Sequence, residues 1–580
     1  MEYSWNLSQI FESEQAFEKA FDEFKKDSQQ IMNFKGKLNN PKDVYNYLKL
    51  DERLSLVADK LGSYLYLRKS LNGKDVWALT KMSELENFDS EFSKNTIFVG
   101  QELKKNKTEE LLKWKNLPEF ADYDIWLDDL IKSKKHNIAA TQEKLMIGAS
   151  DAYAASKLFD VLDNVELKFG KIRDENGKSV VLTQGNYAKY SRSTNREVRK
   201  QVSKKLNNAY GALNQTIATN YISHLKFVDF FAKTYKYKST LARKLEASDL
   251  PANLPQNVVA NINKFLPLLH SYYAWRKKYM RLDKMYGYDL SCPIVESADN
   301  QYSLEDGTKI IKKALLPLGE DYVENLDVAI KDHWFDTRIL PAKESGGYCL
   351  DVYDVHPFIL TNFNGTKDCV STIAHEFGHA MHNYYTNKSQ PFSKAGFDIF
   401  VAEIASTVNE VLLARYMIDH SKTKQEKVSN IVSFLTTFIG TVFTQSRYTE
   451  FELFVHEKID KNQPLTHEEM NEFYKGIINK YNGQSVEKTK SGISWSMIPH
   501  FYSDFYVFKY VTGFISACAI AEKLLSDKNY YKTYRKFLSG GSSKKPCDLL
   551  KDAGVDILNY KTYESAFKML EQYLNILKED

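Results

Sequence analysis

The chain has 580 residues and a formal net charge of +4, the small difference between 79 basic and 75 acidic residues. This length suffices for two lobes, and the balanced charge lacks the basic excess typical of proteins that bind nucleic acid or membrane surfaces. The five cysteines are odd in number, scattered and without a CxxC pair, which argues against a disulfide framework and a thiolate zinc finger. We therefore expect a globular protein with reduced thiols and no nucleic-acid partner.

The N-terminal segment MEYSWNLSQIFESEQAF is acidic and amphipathic. A secretory signal would instead have a basic segment followed by an apolar one. No uninterrupted apolar run reaches the length of a transmembrane helix. We therefore expect a cytoplasmic protein without a membrane partner.

From Ser13 to about Leu340, apolar residues recur at three- and four-residue spacing, which predicts one helix after another. Asn40 before Pro41 is typical of a helix N-cap. The segment LEASDLPANLPQN, residues 245–257, has two prolines and no helical period, and it predicts a loop. We predict an N-terminal helical lobe over residues 1–195 and a catalytic region over 196–580. Every grouping with recognisable chemistry follows Pro341.

The pattern changes in ESGGYCLDVYDVHPFILTNFNGT, residues 344–366. Its β-prone runs, 348–352 and 358–363, flank Pro357 and predict a small sheet with an edge. Asn364-Gly365 predicts a turn, and Thr366 is a plausible cap for a helix that runs to about Tyr385. Two further helices are predicted, one over VAEIASTVNEVLLARYMI and one from about Ser503 to Leu525.

The helix after Thr366 carries the sequence TIAHEFGHAMH. His375 and His379 are one turn apart on one face, so both imidazoles can reach one ion, and Glu376 lies beside them. The HExxH spacing is what zinc hydrolases use, with two nitrogens holding the metal and the carboxylate taking a proton from water. In a chain of this length the pattern arises by chance at roughly the few-per-cent level.

Two other residues on this helix bear on that interpretation. Gly378 costs a helix interior about 1 kcal/mol relative to alanine, which favours close passage of another backbone. His382 is about two turns, or roughly 10 Å, beyond His375, too far for both to bind one ion. His382 is therefore either a support for the ligands or a core histidine.

A catalytic zinc needs a third protein ligand, and the next predicted helix supplies two carboxylates on one face. Glu403 is bordered by small residues that permit tight packing, so we prefer it as the ligand. Glu410 is then expected to orient an imidazole by a hydrogen bond. The alternative for Glu410 is an ordinary exposed helix carboxylate.

The segments HEFGHAMH, EIASTVNE and WSMIPHFYSDFYVFKYVTG, in this order, resemble the thimet-oligopeptidase class of zinc peptidases. The closer resemblance is to the oligoendopeptidase F branch, which the opening YSWNLSQIF also resembles. The resemblance implies a mainly α fold: a large two-lobed helical bowl with a deep central cleft and one zinc ion per chain. It also implies cleavage of internal bonds in short unfolded peptides, and it leaves the oligomeric state open.

Carried over by position, the family's zinc ligands fall on His375, His379 and Glu403, and its general base falls on Glu376. These are the residues that the helix geometry also favours.

The family further uses a late histidine and tyrosine to stabilise the oxyanion, and these correspond to His500 and Tyr506. Tyr502 and Tyr510 lie in the same HFYSDFYVFKY stretch and are alternatives for the tyrosine. A phenol suits this role because it stays protonated at working pH and donates to developing negative charge.

The strand that follows Gly346-Gly347-Tyr348 could pair with an extended substrate backbone, which would give broad specificity. The alternative is a structural hairpin that braces the histidine helix. The family commonly has GAY where this chain has GGY.

Two other functions remain open at this point. A zinc carboxypeptidase would need a fixed cation for the free C-terminus, and Arg447 and Arg415 are candidates. A non-catalytic peptide-binding scaffold would hold a structural zinc, which normally has four protein ligands, and the intact Glu376 argues against it.

Overall fold

The computed structural model describes residues 3–294 and 301–579, apart from the side chains of Ala140 and Asp151. Helix accounts for 71% of it and strand for 3%, which confirms the mainly α prediction. The α-helices, in chain order, are α1 Glu14–Ser28, α2 Pro41–Leu71, α3 Val76–Lys105, α4 Thr108–Lys115, α5 Asp124–Ser133, α6 Ala140–Ala152, α7 Ala155–Val161, α8 Tyr187–Ser191, α9 Arg196–Ala212, α10 Asn214–Thr234, α11 Thr240–Ala247, α12 Leu254–Lys264, α13 Leu266–Tyr279, α14 Leu304–Ala314, α15 Glu320–Lys331, α16 Lys367–Ser389, α17 Phe392–Ala395, α18 Ile399–Asp419, α19 Lys424–Phe438, α20 Gln445–Asp460, α21 His467–Asn482, α22 Phe508–Ser526, α23 Tyr531–Leu538, α24 Pro546–Asp552 and α25 Tyr560–Glu579. The strands are β1 Lys171–Arg173, β2 Ser179–Val181, β3 Phe335–Asp336, β4 Tyr348–Leu350 and β5 Phe358–Leu360.

The chain divides into two compact units, each built from three separate segments. The first unit comprises the described residues of Met1–Asn137, Asp299–Tyr416 and Ile520–Val555. The second unit comprises those of Ile138–Ala298, Met417–Ala519 and Asp556–Asp580. The division at residue 195 falls inside a segment of the second unit, and it stays a prediction about function.

In the first unit, α1 to α5 surround an aromatic core. Phe17 and Phe21 of α1 are fully buried, and Phe17 packs edge-on against Trp77 at a centroid distance of 5.2 Å. The Asn40 side chain accepts the Asp43 N–H at the start of α2, with Pro41 in the first turn, which confirms the predicted cap. Apolar burial and a satisfied helix end thus fix this part of the unit.

The first unit also contains a three-stranded sheet of order β3-β5-β4, with β3 parallel and β4 antiparallel to β5. This confirms the predicted small sheet, although both predicted strands are shorter than expected. The indole N–H of Trp5 donates to the carbonyls of Trp334 and Ile359, at 2.9 and 3.1 Å. The N-terminal segment therefore secures one face of the sheet.

A buried ion pair holds the loop between β3 and β4. The Lys343 ammonium and the Asp336 carboxylate are both fully buried and 2.7 Å apart. Lys343 also donates to the carbonyls of Arg338 and Thr361, so each of its protons has an acceptor. Arg338 also pairs with the Asp336 carboxylate, so this buried anion has two cationic partners. The loop leading to Gly346 and Gly347 is thereby fixed.

The second unit corrects two predictions. The β1–β2 hairpin interrupts the helices, with Lys171 paired to Val181. Its three-residue strands are too short to produce a detectable alternating pattern. The predicted loop over residues 245–257 is also too long, since α11 ends at Ala247 and α12 begins at Leu254 with Pro255 in its first turn. Proline is tolerated there because the first N–H groups of a helix have no partner within it.

One helical run in the described residues, Lys424–Asp460, has the length and apolar composition to cross a membrane. In the window that meets this test, 44% is buried inside the protein. A core helix of a soluble protein passes the same test, so this is weak evidence for a span.

Candidate metal centre

The histidine helix α16 begins as predicted and is one turn longer at its C-terminal end. The Thr366 side chain accepts the Cys369 N–H at its N-terminus. The helix packs against β4, α14 and α23. Ile373 and Phe377 are buried on the side facing the core. This packing fixes the direction in which the two histidines of the HExxH motif project.

Gly378 permits the closest approach between α16 and α18. A methyl group built on it would lie 2.5 Å from the Cα of Ser406 and 2.7 Å from the carbonyl oxygen of Ala405. Both atoms belong to backbone and cannot rotate away. The expectation that another backbone passes close to Gly378 is confirmed, and that backbone belongs to the helix that carries Glu403.

Three potential metal ligands meet at this contact. Glu403 Oε2 lies 3.7 Å from His375 Nε2 and 3.7 Å from His379 Nε2. The ligand atoms of these residues all lie within 4.8 Å of one another. Two imidazole nitrogens and one carboxylate oxygen form a set that zinc accepts in catalytic sites, with a fourth position free for water. The donor set therefore fits a catalytic zinc ion.

Glu410, two turns further along α18, is 3.4 Å from Nδ1 of His375. Burial lowers the pKa of His375, but the carboxylates of Glu410, Glu376 and Glu403 outweigh it and raise that pKa to about 9. Burial and the neighbouring His375 lower the pKa of His379 to about 3. A metal ion must therefore displace a proton from His375, whereas His379 already has the neutral form that binds metal.

Glu376 lies beside the ligand cluster and is only 6% exposed. Its burial raises the pKa of its carboxyl to about 7, and the Glu403 and Glu410 carboxylates contribute to this increase. A carboxyl that titrates near neutrality can both accept and release a proton at working pH. This is the electrostatic property that a general base in peptide hydrolysis needs.

The loop before β4 approaches the same carboxylate. A methyl group built on Gly347 would lie 3.4 Å from Oε1 of Glu376 and 2.7 Å from a methyl group of Thr372. Gly346 has φ +89°, a conformation that favours glycine, and its carbonyl accepts from the Asn362 amide. Strand β4 is an edge strand, because only β5 pairs with it in the described sheet. The Tyr348 ring packs against the rings of Trp5 and Tyr66.

His382 is in a different environment from the two histidines of the motif. It is 1% exposed, and its ring stacks on Phe397 at a centroid distance of 3.8 Å. Burial lowers its pKa to about 3, and its Nδ1 has no hydrogen-bond partner in the part of the chain that the structure describes. These contacts favour a core histidine over a support for the ligands.

Asn409 is a positioning residue that the sequence analysis did not identify. It is fully buried on α18, and its amide donates to the Ala374 carbonyl of α16 at 2.9 Å. Its carbonyl accepts from the Tyr322 hydroxyl at 3.1 Å. This bond fixes the register of α18 against α16 next to Glu410 and Glu376. The sequence signal that could have identified this residue is an asparagine within the largely apolar segment VAEIASTVNEVLL.

The second unit brings together three of the predicted oxyanion residues. His500 lies in the short 3₁₀ helix Pro499–Tyr502, with its ring centroid 6.4 Å from that of Tyr506 and 6.1 Å from that of Tyr510. Tyr502 is instead engaged elsewhere, because its hydroxyl lies 2.9 Å from the Asn220 amide. The geometry groups Tyr506 and Tyr510 with His500 and leaves Tyr502 in a structural contact.

A buried network holds this segment, and the sequence analysis missed it. Oδ1 of Asp504 lies 2.8 Å from Nε2 of His224 and 3.5 Å from Nε2 of His456. Burial raises the pKa of Asp504, but the hydrogen bond from His224 and the charges of His456 and Lys244 outweigh it and lower that pKa below its ordinary value. Asp504 therefore connects the segment to helices α10 and α20.

The next residue, Phe505, is held in an unfavourable backbone conformation. Its φ is 55°, in the left-handed region that an aromatic residue rarely adopts. Its N–H donates at 2.9 Å to Glu452, a fully buried carboxyl whose pKa is raised well above its usual range by burial. Helix α22 begins only at Phe508, after this turn, so the predicted start near Ser503 was wrong.

Comparison with known proteins extends over the whole chain. Residues 189–569 match peptidase family M3, and residues 102–169 match the family described as Oligopeptidase F. Oligopeptidase PepF of Bacillus subtilis is 33% identical over 585 residues, which cover 100% of this chain and 87% of that protein. The chromosomal oligoendopeptidase F of Lactococcus lactis subsp. cremoris is 32% identical over 586 residues, covering 99% and 97% of the two chains.

Solved structures agree with these relatives. Oligoendopeptidase-F from Enterococcus faecium superimposes with a TM-score of 0.75 at 29% identity, over 97% of this chain and 98% of that one. A candidate peptidase from Chlamydophila abortus gives a TM-score of 0.93 at 29% identity, over 99% and 98% of the two chains.

Proposed function

The chain belongs to peptidase family M3, and on that premise we propose that it binds one zinc ion through His375, His379 and Glu403 and uses Glu376 as the general base. The observation that carries this proposal is the grouping of the three ligand atoms within 4.8 Å of one another, with the carboxyl of Glu376 beside them. Its raised pKa, near 7, suits a group that must both take and return a proton.

The family and the named relatives make the chain a metalloendopeptidase that acts on oligopeptides. This disfavours both a carboxypeptidase and a non-catalytic scaffold. Arg415, one of the two cations considered for a free C-terminus, lies 3.3 Å from the Glu522 carboxylate and is therefore already paired. Short unfolded peptides as substrates, zinc as the metal and a cytoplasmic location are our proposals.

Zinc, when bound, supplies Lewis-acid chemistry that acidifies water and polarises the carbonyl of the scissile bond. Glu376 takes the proton of the attacking water and passes it to the leaving amine. Glu410 accepts a hydrogen bond from Nδ1 of His375, which would make Nε2 the nitrogen that gives up its proton and holds the metal. Gly347 leaves room for substrate next to Glu376, because a side chain at that position would occupy the space beside the carboxylate.

His500 and Tyr506 are proposed to donate hydrogen bonds to the oxyanion that forms when the carbonyl is attacked. Such donors typically contribute about 2.7 to 4 kcal/mol each to stabilising a transition state. The unpaired edge of β4 is proposed to bind the extended substrate backbone, which requires no particular side chains. Broad specificity follows from recognition of this kind.

The proposal is tested with internally quenched peptides blocked at both ends. Zinc-loaded protein is expected to cut an internal bond, whereas a carboxypeptidase would leave both ends intact. Removing the metal with a chelator should abolish cleavage, and adding zinc back should restore it. Persistent cleavage after metal removal would contradict the assignment of a metal centre.

A further inference from the structure

The second unit contains a cavity of about 800 Å³ that the metal centre and its proposed chemistry do not use. Its walls come mainly from α9, α13, α20 and α21, the helical turn Ile439–Thr444 and the loops around residues 286–291 and 487–497. A volume of this order matches pockets that bury a small ligand or several residues of a peptide.

Cationic groups outnumber acidic ones on the walls of this cavity. The lining includes Arg199, Arg276, Arg447, Lys488 and Lys490, and Glu487 is its one acidic residue among those the structure describes. Asp289, close behind the wall, pairs with Arg199 at 2.7 Å and with Arg196 at 2.9 Å. The cavity therefore keeps a positive excess after its internal ion pairs are counted, which favours an anionic ligand.

Two of these guanidinium groups have no carboxylate partner in the described residues. Arg276 is 3% exposed, and it donates to the backbone carbonyls of Asp289 and Cys292. Arg447 is partly exposed and lies near the rings of Tyr448 and Tyr474, at 5.5 and 5.9 Å, and its buried Nε has no hydrogen-bond partner in the part of the chain that the structure describes. A guanidinium that is wholly or partly withdrawn from water without an anion is unfavourable, and a ligand carboxylate would offset that cost.

The other walls suit the remainder of a peptide. Tyr272, Tyr273, Tyr286 and Tyr288 line the cavity with rings and hydroxyl groups. Ser494 and Met497 also line it, and they precede His500 by only a few residues in the segment that carries the candidate oxyanion donors. The cavity and that segment belong to the same unit, so a bound peptide would contact the wall that supports His500.

We propose that this cavity binds a carboxylate group of the peptide substrate, with Arg447 as its principal ligand and Arg276 and the two lysines adding to the positive potential. The inference rests on the proposed function, because peptides are the anions which that function supplies. The carboxylate is either the free C-terminus or an acidic side chain. Both offer two oxygens in the geometry that an arginine fork pairs with. Arg447 thereby acts as a specificity residue for oligopeptides.

Binding to the zinc-loaded Glu376→Gln protein tests the proposal without any need for turnover. Three peptides are compared by calorimetry: a free-acid peptide without acidic side chains, the same peptide amidated, and the amidated peptide with one internal glutamine replaced by glutamate. We expect at least one carboxylate-bearing peptide to bind about 10- to 100-fold more tightly than the neutral one, which is what a charged hydrogen bond contributes. The peptide with the gain identifies the source of the carboxylate.

In this background, Arg447→Gln should remove the preference for a carboxylate, and Arg447→Lys should keep part of it. The control is Arg281→Gln, which changes an exposed arginine of the same unit outside the cavity and should leave the preference unchanged. If Arg447→Gln lowers the melting temperature, the double variant Lys488→Gln, Lys490→Gln takes its place, because it changes only exposed side chains. It should reduce the preference a few-fold. Equal binding of all three peptides, or a preference that survives in these cavity variants, overturns the inference. Failure of the proposed function would instead appear as absence of cleavage by the wild-type protein.

Discussion

Replacing Gly378 by alanine should weaken metal binding although residue 378 is not a ligand. The added methyl group would lie 2.5 Å from the Cα of Ser406, where ordinary contact begins at 3.4 Å. The two helices must therefore separate by about 1 Å at this point, because a backbone atom cannot rotate away from the added methyl group. Glu403 precedes Ser406 on α18 by three residues, so its carboxylate moves with the helix and away from His375 and His379.

The change in the free energy of unfolding follows from two opposing contributions. Forcing a methyl group into a packed contact costs about 1 to 3 kcal/mol, whereas alanine in place of glycine in a helix gains about 1 kcal/mol. The net loss of unfolding free energy is thus only about 0 to 2 kcal/mol. Metal coordination tolerates displacements of about 0.2 Å, so a shift of about 1 Å should lower zinc affinity about 10- to 100-fold.

Competition with a chromogenic chelator measures this affinity, and urea unfolding measures stability. Gly62→Ala is the matched control, because Gly62 lies in α2 of the same unit and a methyl group there meets nothing within 4 Å. The control should be more stable by about 1 kcal/mol with unchanged zinc affinity. Unchanged affinity in Gly378→Ala, or a stabilisation equal to that of the control, would refute the argument from helix packing.

Three other predictions concern residues around the proposed chemistry. Glu410→Gln should lower zinc affinity about 10- to 100-fold, measured by chelator competition, because the His375 imidazole loses its charged acceptor; an unchanged affinity would show that Glu410 does not orient the ligand. Tyr506→Phe should lower kcat about 100- to 1,000-fold at unchanged KM, whereas Tyr502→Phe should change kcat little; equal effects in peptide assays would remove Tyr506 from the mechanism. Burial raises the pKa of Glu452 well above 4.5, so the folded state binds this proton more tightly than the unfolded state does. The stabilisation from this protonated carboxyl is therefore fully present below about pH 4.5 and is lost as pH rises towards the folded pKa. Glu452→Gln should remove this part of the pH dependence in urea midpoints, and a parallel profile in both proteins would contradict it.

The parts of the site that depend on local sequence were predictable. The i, i+4 spacing of His375 and His379 on a capped helix gives their common face without any tertiary information. Gly378 likewise indicated a close backbone, because glycine is costly inside a helix. Local sequence alone did not identify Glu403 as a ligand, because the packing of α18 against α16 is set by tertiary structure. The family resemblance supported the same residue.

The remainder depends on contacts between residues far apart in sequence. Asp504 meets His224 from 280 residues away, and nothing in HFYSDFYVFKY predicts that partner. Phe505, the next residue, has a positive φ that is incompatible with a right-handed helix, so helical periodicity alone placed the start of α22 too early. The two compact units are built from three segments each, which likewise depends on contacts between residues far apart in sequence.

The most direct test of the central claim compares wild-type protein with Glu376→Gln on an end-blocked, internally quenched peptide, with the zinc content of both proteins measured. We predict that wild type cuts an internal bond and that the variant retains zinc but loses nearly all turnover, because it keeps the ligands and lacks the base. Equal turnover in the two zinc-loaded proteins would contradict the account and show that the helix of His375 and His379 does not contain the active site.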